Sequence, residues 1–137
     1  MATTPEGKVK AEAVKLYKLY GAKYDRAAQN GMGRNGRADD IVCRRPDGHF
    51  IGVEFKKLDV FDVTALQRTW LNETAVNGGS AMVVNATNLD LLERVLRTPG
   101  CQCVAYFDET KPNRCIGHRV YKGDVLWRDI PVTGEKK

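Results

Sequence analysis

Long hydrophobic runs are missing from this chain. No apolar stretch approaches the ~20 residues that a membrane-spanning helix needs, and the opening MATTPEG has no apolar core of the kind that directs export. Both absences set aside a membrane or secreted protein, and the chain is expected to stay intracellular, in the cytoplasm. Internal repeats are missing too, as is any shift in composition that would mark a second domain. A single domain of 137 residues buries one core without covalent staples.

Cysteine is scarce. Cys43, Cys101, Cys103 and Cys115 in a chain without an export signal read as thiols rather than disulfides. Cys101-x-Cys103 followed by Cys115-x-x-His118 has the ligand types for tetrahedral zinc, but the C-x-C spacing is unusual for a structural site. Small buried apolar cysteines on alternate strand positions are the favoured reading, and zinc there the disfavoured one.

Acidic residues are scarce at one end only. Residues 1–37 hold three acids against eight Lys and Arg, whereas residues 38–137 hold fourteen of each. The whole excess of +5 belongs to the N-terminal quarter. Such a patch is either a solvated helix face or a footprint for a polyanion.

The pattern that is present describes alternating elements. Thr4 caps, Pro5 suits a first helical position, and Val9, Ala13, Leu16 and Tyr20 share a face up to Gly21. Lys8, Lys15 and Lys18 lie on the other face. A short strand over 22–26 precedes QNGMGRNGRADD, a glycine-rich loop with Arg34 and Arg37. Residues 39–56 read as a β-hairpin around the turn Arg45-Pro46-Asp47-Gly48, with His49 beside the turn, solvent-exposed and without a role.

A helix over 64–77 follows, with Leu66, Trp70 and Thr74 on one face. A buried strand over 81–84 comes next, then a helix capped by Thr87 and Asp90 with Leu89, Leu92 and Leu96 inward. Residues 101–130 add one or two strands, and 134–137 form a frayed tail. The order gives an α/β fold: a mixed sheet flanked by helices.

The hairpin carries the chemistry. HFIGVEFKKLD places Glu54 and Lys56 on the same face of the chain's most apolar strand. The turn folds that end beside Asp39 and Asp40. Two carboxylates brought together repel unless a divalent cation sits between them, and Mg²⁺ accepts one or two carboxylates together with waters and phosphate oxygens.

An aspartate, then Glu-x-Lys across a hairpin, resembles the PD-(D/E)xK nuclease superfamily. Glu6, GRADDI, FIGVEFK and TALQ in that order are similar to its VRR-NUC branch, in the compact stand-alone form found in phages. The likeness covers about residues 4–96, and 97–130 form a C-terminal extension. Two departures stand out: Ala38 replaces the branch's proline, and Asp40 its apolar residue. The RRPDG turn is also about two residues longer than usual.

The resemblance implies a restriction-endonuclease-like fold and a DNA endonuclease using Mg²⁺ or Mn²⁺. It implies selectivity for branched DNA such as Holliday junctions, action as a homodimer, and the host cytoplasm if a phage encodes the chain. Asp39 and Glu54 would bind metal with the backbone carbonyl of Phe55, Asp40 being the alternate to Asp39. Lys56 would be the catalytic lysine, Gln67 would position it or the metal's water, and Glu6 would reach the metal through a water. Lys8, Lys15, Arg34 and Arg37 would lie along the DNA phosphates. A non-catalytic nucleic-acid-binding module that keeps the fold is the alternative.

Overall fold

Alternation of apolar residues over 40–55 and helical spacing over 5–20 produce the first two layers of the molecule. In a computed structural model, which describes residues 5–27, 36–58 and 60–132, the elements run in the expected order. They are α1 (Pro5–Leu19), β1 (Lys23–Arg26), β2 (Asp40–Cys43), β3 (Phe50–Phe55), α2 (Ala65–Val76), β4 (Ser80–Val84), α3 (Leu89–Leu96), β5 (Cys101–Phe107), β6 (Cys115–Lys122) and β7 (Val125–Pro131). The Thr4 cap, the loop through Arg34 and the tail from Gly134 lie outside the described residues.

All seven strands form one sheet in chain order; β3–β4 and β4–β5 are parallel and the other pairs antiparallel. It is a mixed sheet flanked by helices, as the sequence implied. The C-terminal segment supplies three strands rather than one or two, because β6 and β7 fold back as a hairpin at Gly123, whose φ is +61°. No helix among the described residues is long and apolar enough to cross a membrane.

Alternation along β4 divides the core. Met82 and Val84 join Ile51, Val53 and Phe55 under α1 and α3, and Ala81 and Val83 join Leu71 of α2 in a smaller cluster. Two helix faces and one cap differ from the sequence reading. Tyr17, rather than Leu16 or Tyr20, is the fully buried residue of its turn on α1. On α2, Leu71 points inward and Leu66 is 59% exposed. Trp70 instead lies over Gly52, where any Cβ would collide with its ring. On α3 the cap position is Asn88, and the Thr87 hydroxyl is spent on Asn85 Oδ1 at 2.6 Å.

The sheet is thinly laddered between β4 and β5, which share the single register pair Ala81–Val104. Side chains stitch the rest of that seam. Ser80 Oγ accepts the Cys103 N–H at 2.9 Å, and the buried His118 ring accepts the Val83 N–H through Nε2 at 3.1 Å. His49, expected to be free in solvent, is half-buried with its Nε2 2.8 Å from Ser80 Oγ. The long turn after β2 also has a structural use: Arg44 is fully buried and forks onto Asp47 at 3.0 and 2.7 Å. Its Nη1 reaches Val95 O at 3.1 Å.

The first cysteine of the chain is exposed and the other three are buried, Cys101 and Cys103 in the larger cluster and Cys115 in the smaller one. Burial raises the Cys103 thiol well above its ordinary pKa, and the single His118 nitrogen facing β4 is already engaged.

Asp40 begins β2 as a buried carboxylate with every oxygen occupied. Arg26 grips it through Nε and Nη2, both at 2.8 Å, and the Tyr17 hydroxyl donates at 2.8 Å. Burial first, then this carboxylate, push the Tyr17 phenol well above its usual range. Removing one partner of a buried pair strands the other charge. Arg26→Ala should therefore cost about 3–5 kcal/mol in urea unfolding. Asp40→Asn in the same chain should recover part of that loss, and a loss below ~1 kcal/mol would mean that water reaches Asp40.

Candidate active site

Register decides which aspartate stands beside Glu54. Asp40 pairs with Val53 across the hairpin, so the next position, Asp39, falls opposite Glu54. Asp39 is half-buried, and its Oδ2 accepts the Phe55 N–H at 2.8 Å, which ties the start of β2 to the end of β3. Phe55 itself is buried, so its peptide is held rigidly between Glu54 and Lys56.

Glu54 is 3% exposed. Its Oε2 accepts from Gln67 Nε2 at 2.7 Å and lies 3.7 Å from Lys56 Nζ. Its Oε1 is buried without a hydrogen-bond partner. Burial, then the Asp39 charge, raise the Glu54 pKa to about 8 against the pull of Lys56, and Glu6 adds a smaller push in the same direction. A carboxylate this short of solvation is unusual in a folded protein and marks a functional site more often than a structural one.

Gln67 is placed by local sequence. Thr64 caps α2 and accepts the Gln67 N–H at 3.1 Å, while Gln67 Oε1 accepts the Thr64 N–H at 2.9 Å, a reciprocal capping box. With its oxygen on the cap, the amide can turn only its NH₂ toward Glu54, and the same oxygen also receives Lys56 Nζ at 3.3 Å. Gln67 thus joins Glu54 to Lys56. The Lys56 N–H is pinned to Val84 O at 2.9 Å, leaving its ammonium 19% exposed at the end of the sheet.

Thr64→Ala and Gln67→Ala separate two roles. Each removes the capping box and should cost about 1 kcal/mol of stability. Only Gln67→Ala releases Glu54 and Lys56, so only it should slow any phosphodiester cleavage, by ~10-fold or more in single turnover. Equal rates in the two variants would reduce Gln67 to a cap.

Sequence reasoning missed three supports of this site. Asn85, buried at the end of β4, donates to the Lys57 and Val60 carbonyls at 3.4 and 3.1 Å and so holds the chain just beyond Lys56. An asparagine closing the apolar run 81–84 was the available signal. Arg26 and Tyr17, which occupy Asp40, carried no such local signal.

The expected phosphate-contacting residues are dispersed. Lys8 and Lys15 are exposed on α1, Lys15 pairing with Glu12 at 3.1 Å. Arg37 is turned inward: Nη2 donates to Asp25 O at 3.0 Å and lies 3.5 Å from its carboxylate, with 20% of the side chain exposed. Arg34 lies outside the described residues. Among the described residues no group of three His, Cys, Asp or Glu side chains is placed to hold a metal ion, so Glu6 is near the pair without joining it.

A solved structure described as a VRR_NUC domain superposes on this chain with a TM-score of 0.57 at 22% identity, covering 71% of this chain and 99% of that one. The fold is that of a VRR_NUC domain. No protein-family model and no curated protein matches the chain. At that identity the likeness speaks for the fold, and the chemistry has to be read from this chain's own side chains. Nearly all of the matched structure is covered, and part of this chain lies outside the match.

Proposed function

We propose that this protein is a Mg²⁺- or Mn²⁺-dependent DNA endonuclease whose site is Asp39, Glu54, Lys56 and Gln67. One observation carries the reading: a buried Glu54 carboxylate beside Asp39 keeps an oxygen unpartnered while Gln67 ties its other oxygen to Lys56. The donors present are hard oxygens, two carboxylates with the Phe55 carbonyl next to them, which suits Mg²⁺ or Mn²⁺ and not a soft-ligand metal. Asp39 and Glu54 are the residues that would hold it, with Glu6 behind them. When bound, such an ion supplies positive charge for the phosphodiester and a water of lowered pKa.

The chain's own groups do the rest. Gln67 fixes the orientation of Glu54. Lys56 presents an ammonium to the place where negative charge grows on phosphorus, and it can donate a proton there. The first turn of α2 is brought to the site by Gln67, and the positive end of that helix favours phosphate there. Exposed Lys8 and Lys15 add sequence-independent attraction.

Branched DNA is the proposed substrate and a homodimer the proposed working form, since resolving a four-way junction requires two cuts. Incubation with a four-way junction, a flap, linear duplex and single strand, each with Mg²⁺, Mn²⁺ or EDTA, tests the reading. Cleavage should require metal and should be fastest on the junction, from a species of twice the monomer mass by light scattering. Tight DNA binding with no cleavage under any metal would replace the enzyme with a binding module.

A further inference from the structure

Outside the cleavage site, a cavity of about 200 Å³ opens between α3 and the ends of β6 and β7. Leu91, Ile130 and Pro131 wall it, Asp90 and Arg94 stand on α3 at its side, and the His118 ring is part of its lining. It lies at the carboxyl ends of β4 and β7. Because β3, β4, β5 and β7 run the same way, this is also the end of the sheet that holds Glu54 and Lys56. Val83, whose N–H goes to His118, is the register partner of Glu54.

We propose that this cavity receives an unpaired nucleobase of the DNA, an inference that rests on the endonuclease reading above. His118 is 1% exposed, and its Nε2 accepts the Val83 N–H, so the ring proton is on Nδ1. Among the described residues no hydrogen bond is made to Nδ1, so the ring keeps a donor on the side away from Val83 and lines the cavity with it unspent. Burial lowers the His118 pKa to about 4, so near neutral pH the group is an uncharged donor.

The charges beside it favour a base over a phosphate. An anion reaching Arg94 would also meet the Asp90 carboxylate, whereas a neutral ring with donor and acceptor edges suits both. The volume is below the ~300–1,000 Å³ of drug-sized sites, which suits one ring system rather than a whole nucleotide. Apolar walls with a few directed polar groups are how extruded bases are held elsewhere. Extruding a paired base costs a few kcal/mol, so such a cavity selects DNA that already offers an unpaired one. That gives a preference for branched DNA a physical source.

The test uses the full chain labelled with ¹⁵N-histidine and free of metal, so that cleavage plays no part. The His118 Nδ1–H signal is followed as each of the four nucleosides, and in a separate arm inorganic phosphate, is added. At least one nucleoside should shift the signal saturably, and phosphate should not. Arg94→Gln, on the rim, should weaken that nucleoside about tenfold, the value of one hydrogen bond to a charged group. Ile130→Trp, which fills the cavity, should abolish the response. A signal silent to all nucleosides, or one moved by phosphate alone, would overturn the proposal. Nucleoside binding in a protein that cuts no DNA would keep the cavity and remove the nuclease. Metal-dependent cleavage with a silent His118 would do the reverse.

Discussion

Glu54→Gln should abolish cleavage and at the same time make the metal-free protein more stable at pH 8. Both effects come from one carboxylate. As a metal-binding group it has no substitute, since an amide is a weak neutral donor to Mg²⁺, and a loss of at least ~10³-fold in single-turnover cleavage is expected. As a structural group it is a burden: its pKa is raised from 4.5 to about 8, by burial first and by Asp39 second.

The sign of the pH effect follows from proton binding. Between pH 4.5 and 8 the folded chain keeps a proton on Glu54 that the unfolded chain has lost. Folding is therefore disfavoured increasingly as pH rises through that window. Wild type without metal should lose roughly 2–4 kcal/mol from this group by pH 8, and Glu54→Gln should lose none of it. Urea unfolding at pH 5 and pH 8, with and without Mg²⁺, reads the difference. Mg²⁺ should restore wild type at pH 8 and leave the variant unmoved. A Glu54→Gln protein that cuts at the wild-type rate would remove the nuclease site from this hairpin.

Lys56→Gln should leave folding, metal binding and DNA affinity near wild type while cleavage falls by at least ~10²-fold. The ammonium is held by Gln67 and the Glu54 carboxylate at one place, and Gln keeps much of its reach without its charge or its exchangeable amine proton. An acid–base or electrostatic group lost from such a position costs on that scale. Lys57 is exposed and one residue along, so Lys57→Gln is the control and should cost far less. Single-turnover rates at saturating enzyme keep weakened binding from passing as lost chemistry. Equal losses from the two lysines would mean that the ammonium of Lys56 has no special place.

Much of the site's framework is local and was legible in the residues. Alternation puts Glu54 and Lys56 on one side of a strand whatever surrounds it, and Gly78-Gly79 and Pro99-Gly100 stop helices by backbone conformation alone. Thr64-x-x-Gln67 sets the start of α2 and with it the direction of the Gln67 amide, because both partners lie within one turn.

Tertiary structure decided what depends on distant partners. Asp39 and Asp40 are adjacent and chemically identical, and only Tyr17 and Arg26, packed from α1 and β1, take up one of them and leave the other beside Glu54. Arg44 reads as a surface turn residue and is buried because Asp47, Val95 and Gly100 meet around it. His118 reads as a possible metal ligand and is instead an acceptor for the Val83 N–H, filling a gap between β4 and β5. Leu71 displaces Leu66 from the inner face because Gly52 leaves room for Trp70 and so sets how α2 lies on the sheet. Each outcome turns on contacts between residues far apart in the chain, and a periodicity of two or 3.6 carries no information about those.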